Sequence, residues 1–101
     1  MAKRHFTEDS YLRDPWFRAL VKVVAGLKTE EDIAAFLRDI GTLSELQAWS
    51  ARLEVARQLK AGKSYREFAK QTGASTTTVT RVARFLEAGK RGYKTALQTL
   101  S

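Results

Sequence analysis

Residues 64–84, SYREFAKQTGASTTTVTRVAR, decide the fold of this chain, because they combine two short helical patterns with a tight glycine turn. Ser64 followed three residues later by Glu67 predicts a capping box at the start of the first helix. Gly73 lies where that helix must end in a left-handed conformation, and Ser75 is placed to cap a second helix. This spacing is typical of a helix-turn-helix.

The second of these helices carries two faces of different chemistry. Its apolar residues recur at helical spacing and predict a buried stripe. Its opposite face carries hydroxyl and guanidinium groups, which can contact base edges and phosphates. We therefore predict a DNA-binding helix-turn-helix over residues 64–87, in preference to a helical hairpin with a solvated polar face. The polar face comprises Thr76, Thr77, Thr80, Arg81 and Arg84, and the buried stripe comprises Val79, Val82, Ala83 and Leu86.

Charge is distributed unevenly along the 101 residues, which carry a formal net charge of +7. Residues 1–41 contain seven basic and seven acidic residues, whereas residues 42–101 contain eleven and four and hold the whole excess. A basic half beside a neutral half favours a nucleic-acid-facing part joined to a structural part. The alternative is a basic surface that only keeps the protein soluble. At this length we expect a single domain spanning residues 1–101.

Several classes of function are disfavoured by what the sequence lacks. Without cysteine there is no disulfide framework or thiolate metal site, which favours a reducing cytoplasm. The N-terminus lacks the apolar core of a signal peptide, and no stretch approaches the roughly 18 apolar residues of a membrane span. The only histidine, His5, is isolated, and no catalytic triad or phosphate-binding glycine loop is present. We therefore expect no enzyme activity, no metal, no cofactor and no membrane partner.

The remainder of the chain shows helical patterns throughout. Asp14 followed by Pro15 is a strong helix start, and Thr29 and Thr42 begin the next two patterns. A final short helix is predicted over residues 92–100, after a break bracketed by two glycines. Together with the helix-turn-helix this gives six helices and no strand, and hence an all-α fold.

The first helix is unusually apolar for so small a protein. Trp16, Phe17, Val21, Val23 and Val24 point in too many directions for one narrow core-facing stripe, so more than one side needs cover. A second copy of the chain is the simplest way to bury these side chains. The alternative is a monomer in which this helix is well buried in the core. We therefore predict a homodimer in which residues 12–62 supply the dimerisation and core helices.

The stretch RLEVARQLKAGKSYREFAKQTGASTTTVTRVARFLE, residues 52–87, resembles the Trp repressor family, and in particular its YerC/YecD-type branch. The shared pattern includes Arg66-Glu67, Gly73-Ala74 and the run Thr78-Val79-Thr80-Arg81. The resemblance implies a six-helix Trp-repressor-like fold with a helix-turn-helix. It also implies an intertwined homodimer, in which the N-terminal helices of both chains share one core.

The resemblance also assigns roles to individual positions of the helix-turn-helix. Arg66 matches a base-contacting arginine of the family, and Thr78 matches a phosphate contact. The three other threonines of the second helix match positions at the groove floor. The full set of predicted DNA-binding residues is Lys63, Arg66, Lys70, Ser75, Thr76, Thr77, Thr78, Thr80, Arg81 and Arg84.

An effector pocket is implied by the same resemblance. In the Trp repressor, tryptophan lies between two arginines, which Arg52 and Arg81 match. Val82 and Phe85 stand where the repressor has a glycine and a serine, and we expect these larger side chains to fill the space that the indole needs. The predicted pocket is therefore Arg52, Arg81, Val82 and Phe85, with tryptophan excluded and the effector unidentified.

Two functions from different classes follow. The first is a homodimeric, sequence-specific regulator of transcription that binds duplex DNA. The second is an interaction module with the same fold that binds RNA or an acidic protein partner. The threonine cluster favours the first, since short β-branched polar side chains suit groove edges. Aromatic residues are few in the basic half, with Tyr65 and Tyr93 as the candidates for stacking, which argues against a single-strand platform.

Overall fold

The computed structural model describes residues 5–100, and these residues contain helices and no strand. A one-turn 3-10 helix at Tyr11–Arg13 precedes six α-helices. The prediction of an all-α, six-helix fold is confirmed. The helices are α1 (Pro15–Gly26), α2 (Glu30–Ile40), α3 (Leu43–Lys60), α4 (Tyr65–Thr72), α5 (Thr76–Ala88) and α6 (Gly92–Gln98).

The chain divides into two compact units. The first ends at Ile40 and the second begins at Gly41. This division falls where the sequence changes from neutral to basic, so the second unit holds the whole excess of positive charge. The first unit contains α1 and α2, and the second contains α3 to α6 with the helix-turn-helix.

The start of α1 is fixed by local contacts. The carboxylate of Asp14 accepts hydrogen bonds from the backbone amides of Trp16 at 2.8 Å and Phe17 at 3.2 Å. The ring of Phe17 packs edge-on against Tyr11, with centroids 5.2 Å apart, and against Phe6 at 6.1 Å. These aromatic contacts join the segment before α1 to one side of the helix.

Most of the other apolar side chains of α1 are exposed. No residue of α1 or α2 is buried. Trp16 is 64% exposed, and the valines at 21, 23 and 24 are each more than 40% exposed. Apolar side chains that face water contribute little to stability, so burial of these exposed valines would stabilise the helix.

The second unit has a conventional core. The helix α3 packs against α4, α5 and α6, and α5 also packs against α6. Phe68 of α4 is the largest fully buried side chain, and it fixes the first helix of the helix-turn-helix to this core. The core residues are Val55, Ala56, Phe68, Val79, Val82 and Leu97.

Polar contacts also organise α3. Thr42 and Glu45 form a capping box, in which the Thr42 amide donates to Glu45 at 2.9 Å and the Glu45 amide donates to Thr42 at 3.0 Å. Further along, the carboxylate of Glu54 accepts hydrogen bonds from Arg57 at 2.6 Å and from the buried Gln58 at 2.7 Å. These bonds lower the pKa of Glu54, with Arg57 as the largest cause. The buried amide of Gln58 therefore has a charged partner.

The break before α6 departs from the expected glycine pattern. Two glycines, Gly89 and Gly92, bracket the break, but the left-handed residue is Arg91, with φ 68° and ψ 8°. A side chain in that conformation costs roughly 1–2 kcal/mol relative to its usual one. The helix α6 then ends at Gln98, two residues before the predicted end. Within residues 5–100, no helix is both long and apolar enough to cross a bilayer.

Candidate nucleic-acid interface

The helix-turn-helix begins with the predicted capping box. The hydroxyl oxygen of Ser64 accepts a hydrogen bond from the amide of Glu67 at 3.4 Å, and the Glu67 carboxylate accepts one from the amide of Ser64 at 3.1 Å. The second of these bonds is the largest cause that lowers the pKa of Glu67 below its ordinary value of 4.5. The Ser64 hydroxyl and the charge of Lys63 lower this pKa further. The start of α4 is therefore defined by two reciprocal bonds.

The turn between α4 and α5 is closed by the backbone and by one threonine. Gly73 adopts φ 65°, and its amide donates to the carbonyl of Ala69 at 2.9 Å. The hydroxyl of Thr72 donates to the carbonyl of Phe68 at 3.1 Å and accepts from the amide of Ala74 at 3.2 Å. A residue with a side chain at position 73 would be strained by the left-handed backbone.

Tyr65 makes a contact that the sequence did not indicate. Its hydroxyl donates to the carbonyl oxygen of Ala74 at 3.1 Å, and its ring packs edge-on against Phe68 at 5.9 Å. Tyr93, the other aromatic candidate of the basic half, packs against the core. Both tyrosines therefore have structural contacts, and no local sequence pattern could have identified the bond across the turn.

The start of α5 is capped by Ser75. Its hydroxyl accepts a hydrogen bond from the amide of Thr78 at 3.1 Å and donates one to the Thr78 hydroxyl oxygen at 3.1 Å. Both residues are predicted to contact DNA, and the structure gives both of them a role in holding the helix. No acidic residue lies in the first turn of α5.

The exposed face of α5 forms the wall of one open depression of about 630 Å³. Thr76, Thr77 and Thr80 are exposed there, and their hydroxyls make no hydrogen bond with another residue among those described. The depression thus brings together the polar face predicted for this helix and two residues predicted for the effector pocket, Arg81 and Phe85. Its lining is Thr76, Thr77, Thr80, Arg81, Arg84 and Phe85.

The helix-turn-helix also carries several exposed cations. Lys63, Arg66, Lys70 and Arg84 are all exposed, and none forms a salt bridge with a carboxylate among residues 5–100. Arg57 of α3, by contrast, is paired with Glu54 at 2.6 Å. Positive charge on the helix-turn-helix is therefore available to an anionic partner.

A second cavity, of about 450 Å³, lies beside α5. Arg52, Arg81 and Phe85 line it, and the guanidinium carbon of Arg81 lies 5.4 Å from the centroid of the Phe85 ring. The family resemblance places Val82 in this cavity, whereas the helical spacing of the sequence places it on the buried stripe. The structure confirms the buried stripe, since Val82 lies in the core and is 1% exposed. The reason is helical geometry, since Val82 shares the buried stripe of α5 with Val79. Val82 therefore does not narrow this cavity.

The part of the chain that the structure describes contains no candidate metal site. No group of three or more histidine, cysteine, aspartate or glutamate side chains is arranged there to hold a metal ion. His5 is exposed in the segment before the 3-10 helix.

Comparison with known proteins gives a consistent result across sequence and structure. Residues 16–101 match the family model described as Trp repressor protein. The uncharacterized protein YerC of Bacillus subtilis (strain 168) is 40% identical over 86 residues, which cover 85% of this chain and 83% of that relative.

Two solved structures also match closely. A TrpR-like protein from Eubacterium eligens ATCC 27750 has a TM-score of 0.83 and 34% sequence identity, covering 88% of this chain and 92% of its own. A candidate Trp repressor from Staphylococcus aureus has a TM-score of 0.84 and 32% identity, covering 94% and 95% of the two chains. The arrangement of six helices is thus shared with experimentally determined structures.

Proposed function

Because the chain belongs to the Trp repressor family, we propose that it is a transcriptional regulator that binds specific sequences of duplex DNA as a homodimer. The observation that carries this proposal is the exposed face of α5. That face presents three threonines whose hydroxyls make no hydrogen bond among the described residues, on a helix whose start is capped by Ser75. Side chains of this kind contact base edges when a recognition helix enters the major groove.

The charges of the helix-turn-helix support the same proposal. Lys63, Arg66, Lys70 and Arg84 are exposed and lack salt-bridge partners among the described residues, so they can neutralise phosphates on either side of the groove. Phosphate contacts fix the register of a protein on the duplex, while base contacts decide the sequence. The motif supplies both kinds of group.

The homodimer is proposed because of α1. Its valines at positions 21, 23 and 24 are each more than 40% exposed, and a second copy would bury them. A homodimer also suits DNA recognition, because one helix contacts few base pairs and a two-fold pair covers two half-sites. The absence of cysteine fits the cytoplasm, where we propose that the dimer acts.

We propose further that tryptophan does not gate this activity. The ring of Phe85 forms part of the cavity between Arg52 and Arg81, and the Arg81 guanidinium lies against that ring. This argument rests on Phe85 alone, because Val82 lies in the core.

A second candidate is an interaction module that binds RNA or an acidic protein through the same basic surface. The net positive charge of residues 42–101 favours any polyanion and carries this alternative. Selection of bound fragments from random duplex DNA, followed by competition with single-stranded DNA and structured RNA, separates the two. The proposed regulator yields an enriched palindromic duplex that neither competitor displaces. Equal binding of duplex DNA, single-stranded DNA and structured RNA, with no enriched sequence, contradicts the proposed regulator.

A further inference from the structure

Five threonines lie between residues 72 and 80, and the structure divides them into two groups. Thr72 and Thr78 use their hydroxyls inside the motif, one to close the turn and the other to pair with the cap of α5. Thr76, Thr77 and Thr80 use theirs for no contact among the described residues, and all three line the same depression. The second group is therefore available to a ligand.

The chemistry of this depression is unusual for a surface that recognises bases. Side chains that read guanine or adenine by paired hydrogen bonds are arginine, lysine, asparagine and glutamine. Of these, only Arg81 and Arg84 line the depression, and Arg81 lies against the ring of Phe85. The remaining lining consists of three threonines and that ring. Methyl and aromatic carbon atoms are thus a large part of the surface offered to the groove.

We propose that Thr76, Thr77 and Thr80 recognise the C5-methyl groups of thymine, so that A·T pairs dominate the part of each half-site that faces the start of α5. The methyl group of threonine makes favourable apolar contact with the thymine methyl in the major groove. This inference rests on the proposed function, since it concerns how the same duplex is recognised.

Recognition of thymine methyl groups would also make this surface bind DNA in preference to RNA. Uracil lacks the C5-methyl group, and the major groove of an RNA helix is too deep and narrow for side chains to read. A surface built on methyl contacts therefore loses its partner in RNA for two independent reasons. A surface built on phosphate contacts alone would bind both polymers.

The first experiment changes the DNA. The duplex selected from a random library is synthesised again with deoxyuridine in place of thymidine, at all positions and then one at a time. Each contacted methyl that is removed weakens binding about fourfold, as expected for the loss of one buried methyl group. Positions outside the contact leave the affinity unchanged, so the pattern maps the methyls that α5 touches.

The second experiment changes the protein at the same contact. Thr77→Ser removes the side-chain methyl and keeps the hydroxyl, whereas Thr77→Val keeps the methyl and removes the hydroxyl. The serine variant loses the discrimination between thymine and uracil at one position, and the valine variant retains it. The same pair is made at positions 76 and 80, and Thr95→Ser in α6 serves as the matched control. Circular dichroism and thermal melting verify that each variant is folded.

The outcomes separate this inference from the function on which it rests. Equal affinity of the wild-type protein for the thymine and uracil duplexes overturns methyl recognition, while specific duplex binding stands. Discrimination that survives in all three serine variants overturns the assignment to these threonines. Failure to enrich any duplex contradicts the proposed function itself.

Discussion

The hydroxyl of Tyr65 donates a hydrogen bond to the carbonyl oxygen of Ala74, at 3.1 Å, and so ties the first residue of α4 to the turn in front of α5. The two residues are nine positions apart, and the bond spans the whole first helix of the motif. It adds to the turn contacts of Thr72, so the angle between the two helices is held at both ends of α4. The position of the α5 face therefore depends on a residue that is not expected to touch DNA.

Replacing this hydroxyl tests its structural role. We expect Tyr65→Phe to lower the free energy of unfolding by about 1 kcal/mol, because the Ala74 carbonyl loses its partner. DNA affinity should fall as well, since the turn that positions α5 is loosened. Denaturant unfolding and a mobility-shift titration measure the two effects. Tyr93→Phe is the control, because the Tyr93 hydroxyl makes no hydrogen bond among the described residues, and a change of equal size there would contradict the assignment.

Salt dependence tests the proposed phosphate contacts. Lys63, Arg66, Lys70, Arg81 and Arg84 of both subunits would supply up to about ten charges, at roughly 0.9 released counterions per contact. The slope of log K against log salt should then lie around −5 to −9. Replacing Lys70 by alanine should make the slope less negative by roughly 1.8 per dimer, since two contacts are lost. Lys28→Ala, outside the motif, should leave it unchanged, and a slope near zero for wild type would rule out this binding mode.

Substitution of exposed apolar residues of α1 tests the proposed homodimer. We expect the wild-type protein to sediment as a dimer, and Trp16→Glu or Val24→Glu to unfold it instead of releasing a stable monomer. The reason is that a charge placed in the shared core removes the cover of both chains, and obligate dimers have no stable folded monomer. Glu8→Gln provides an exposed control before α1. A well-folded monomer of wild type or of either variant would disprove the proposed sharing of α1.

The capping boxes predict a specific pH dependence of stability. Glu45 and Glu67 have pKa values below their ordinary 4.5, because each accepts a hydrogen bond from the backbone of its cap residue. A lowered pKa in the folded state stabilises the fold above pH 4.5, and this contribution is lost as the pH falls further. In the double variant Glu45→Gln and Glu67→Gln, the free energy of unfolding should fall less steeply as the pH is lowered below 4.5. Glu87 belongs to no capping box, so Glu87→Gln should leave the pH dependence of the free energy of unfolding unchanged.

Tryptophan binding tests the role assigned to Phe85. We expect free L-tryptophan to change neither the melting temperature nor the DNA affinity of the wild-type protein. Binding at 100 times the dissociation constant would add about 2.7 kcal/mol per site, a shift of several degrees. Phe85→Ser should open the cavity between Arg52 and Arg81 and increase any tryptophan binding seen by calorimetry. Wild-type binding at millimolar affinity or tighter would show that Phe85 does not exclude the indole.

Helix starts and the turn could be predicted because their causes are local. Asp14, Thr42, Ser64 and Ser75 each cap the helix that follows, and Gly73 adopts the left-handed conformation that the turn requires. In each case the residue type and its near neighbours suffice, so no knowledge of the tertiary structure is needed.

Features that depend on packing could not be predicted in the same way. The bond from Tyr65 to Ala74 arises only once α4 has placed both residues on one side of the turn. For Val82 the helical spacing predicts the buried stripe of α5, which the structure confirms, whereas the family resemblance alone places this residue in the cavity. Arg91 adopts a left-handed backbone although glycines lie on both sides of the break. Residue type alone does not identify which position in a short turn carries such strain.

The first turn of α5 contains no acidic residue, unlike the first turns of α2, α3 and α4. Its threonines are weak helix formers, so the chain itself supplies little beyond the Ser75 cap to neutralise the positive end of the helix dipole. We therefore expect the amide protons of this turn to exchange with solvent more readily than those of α3 in the free protein. If DNA binds the α5 face as proposed, its binding and the ordering of this first turn are expected to be coupled.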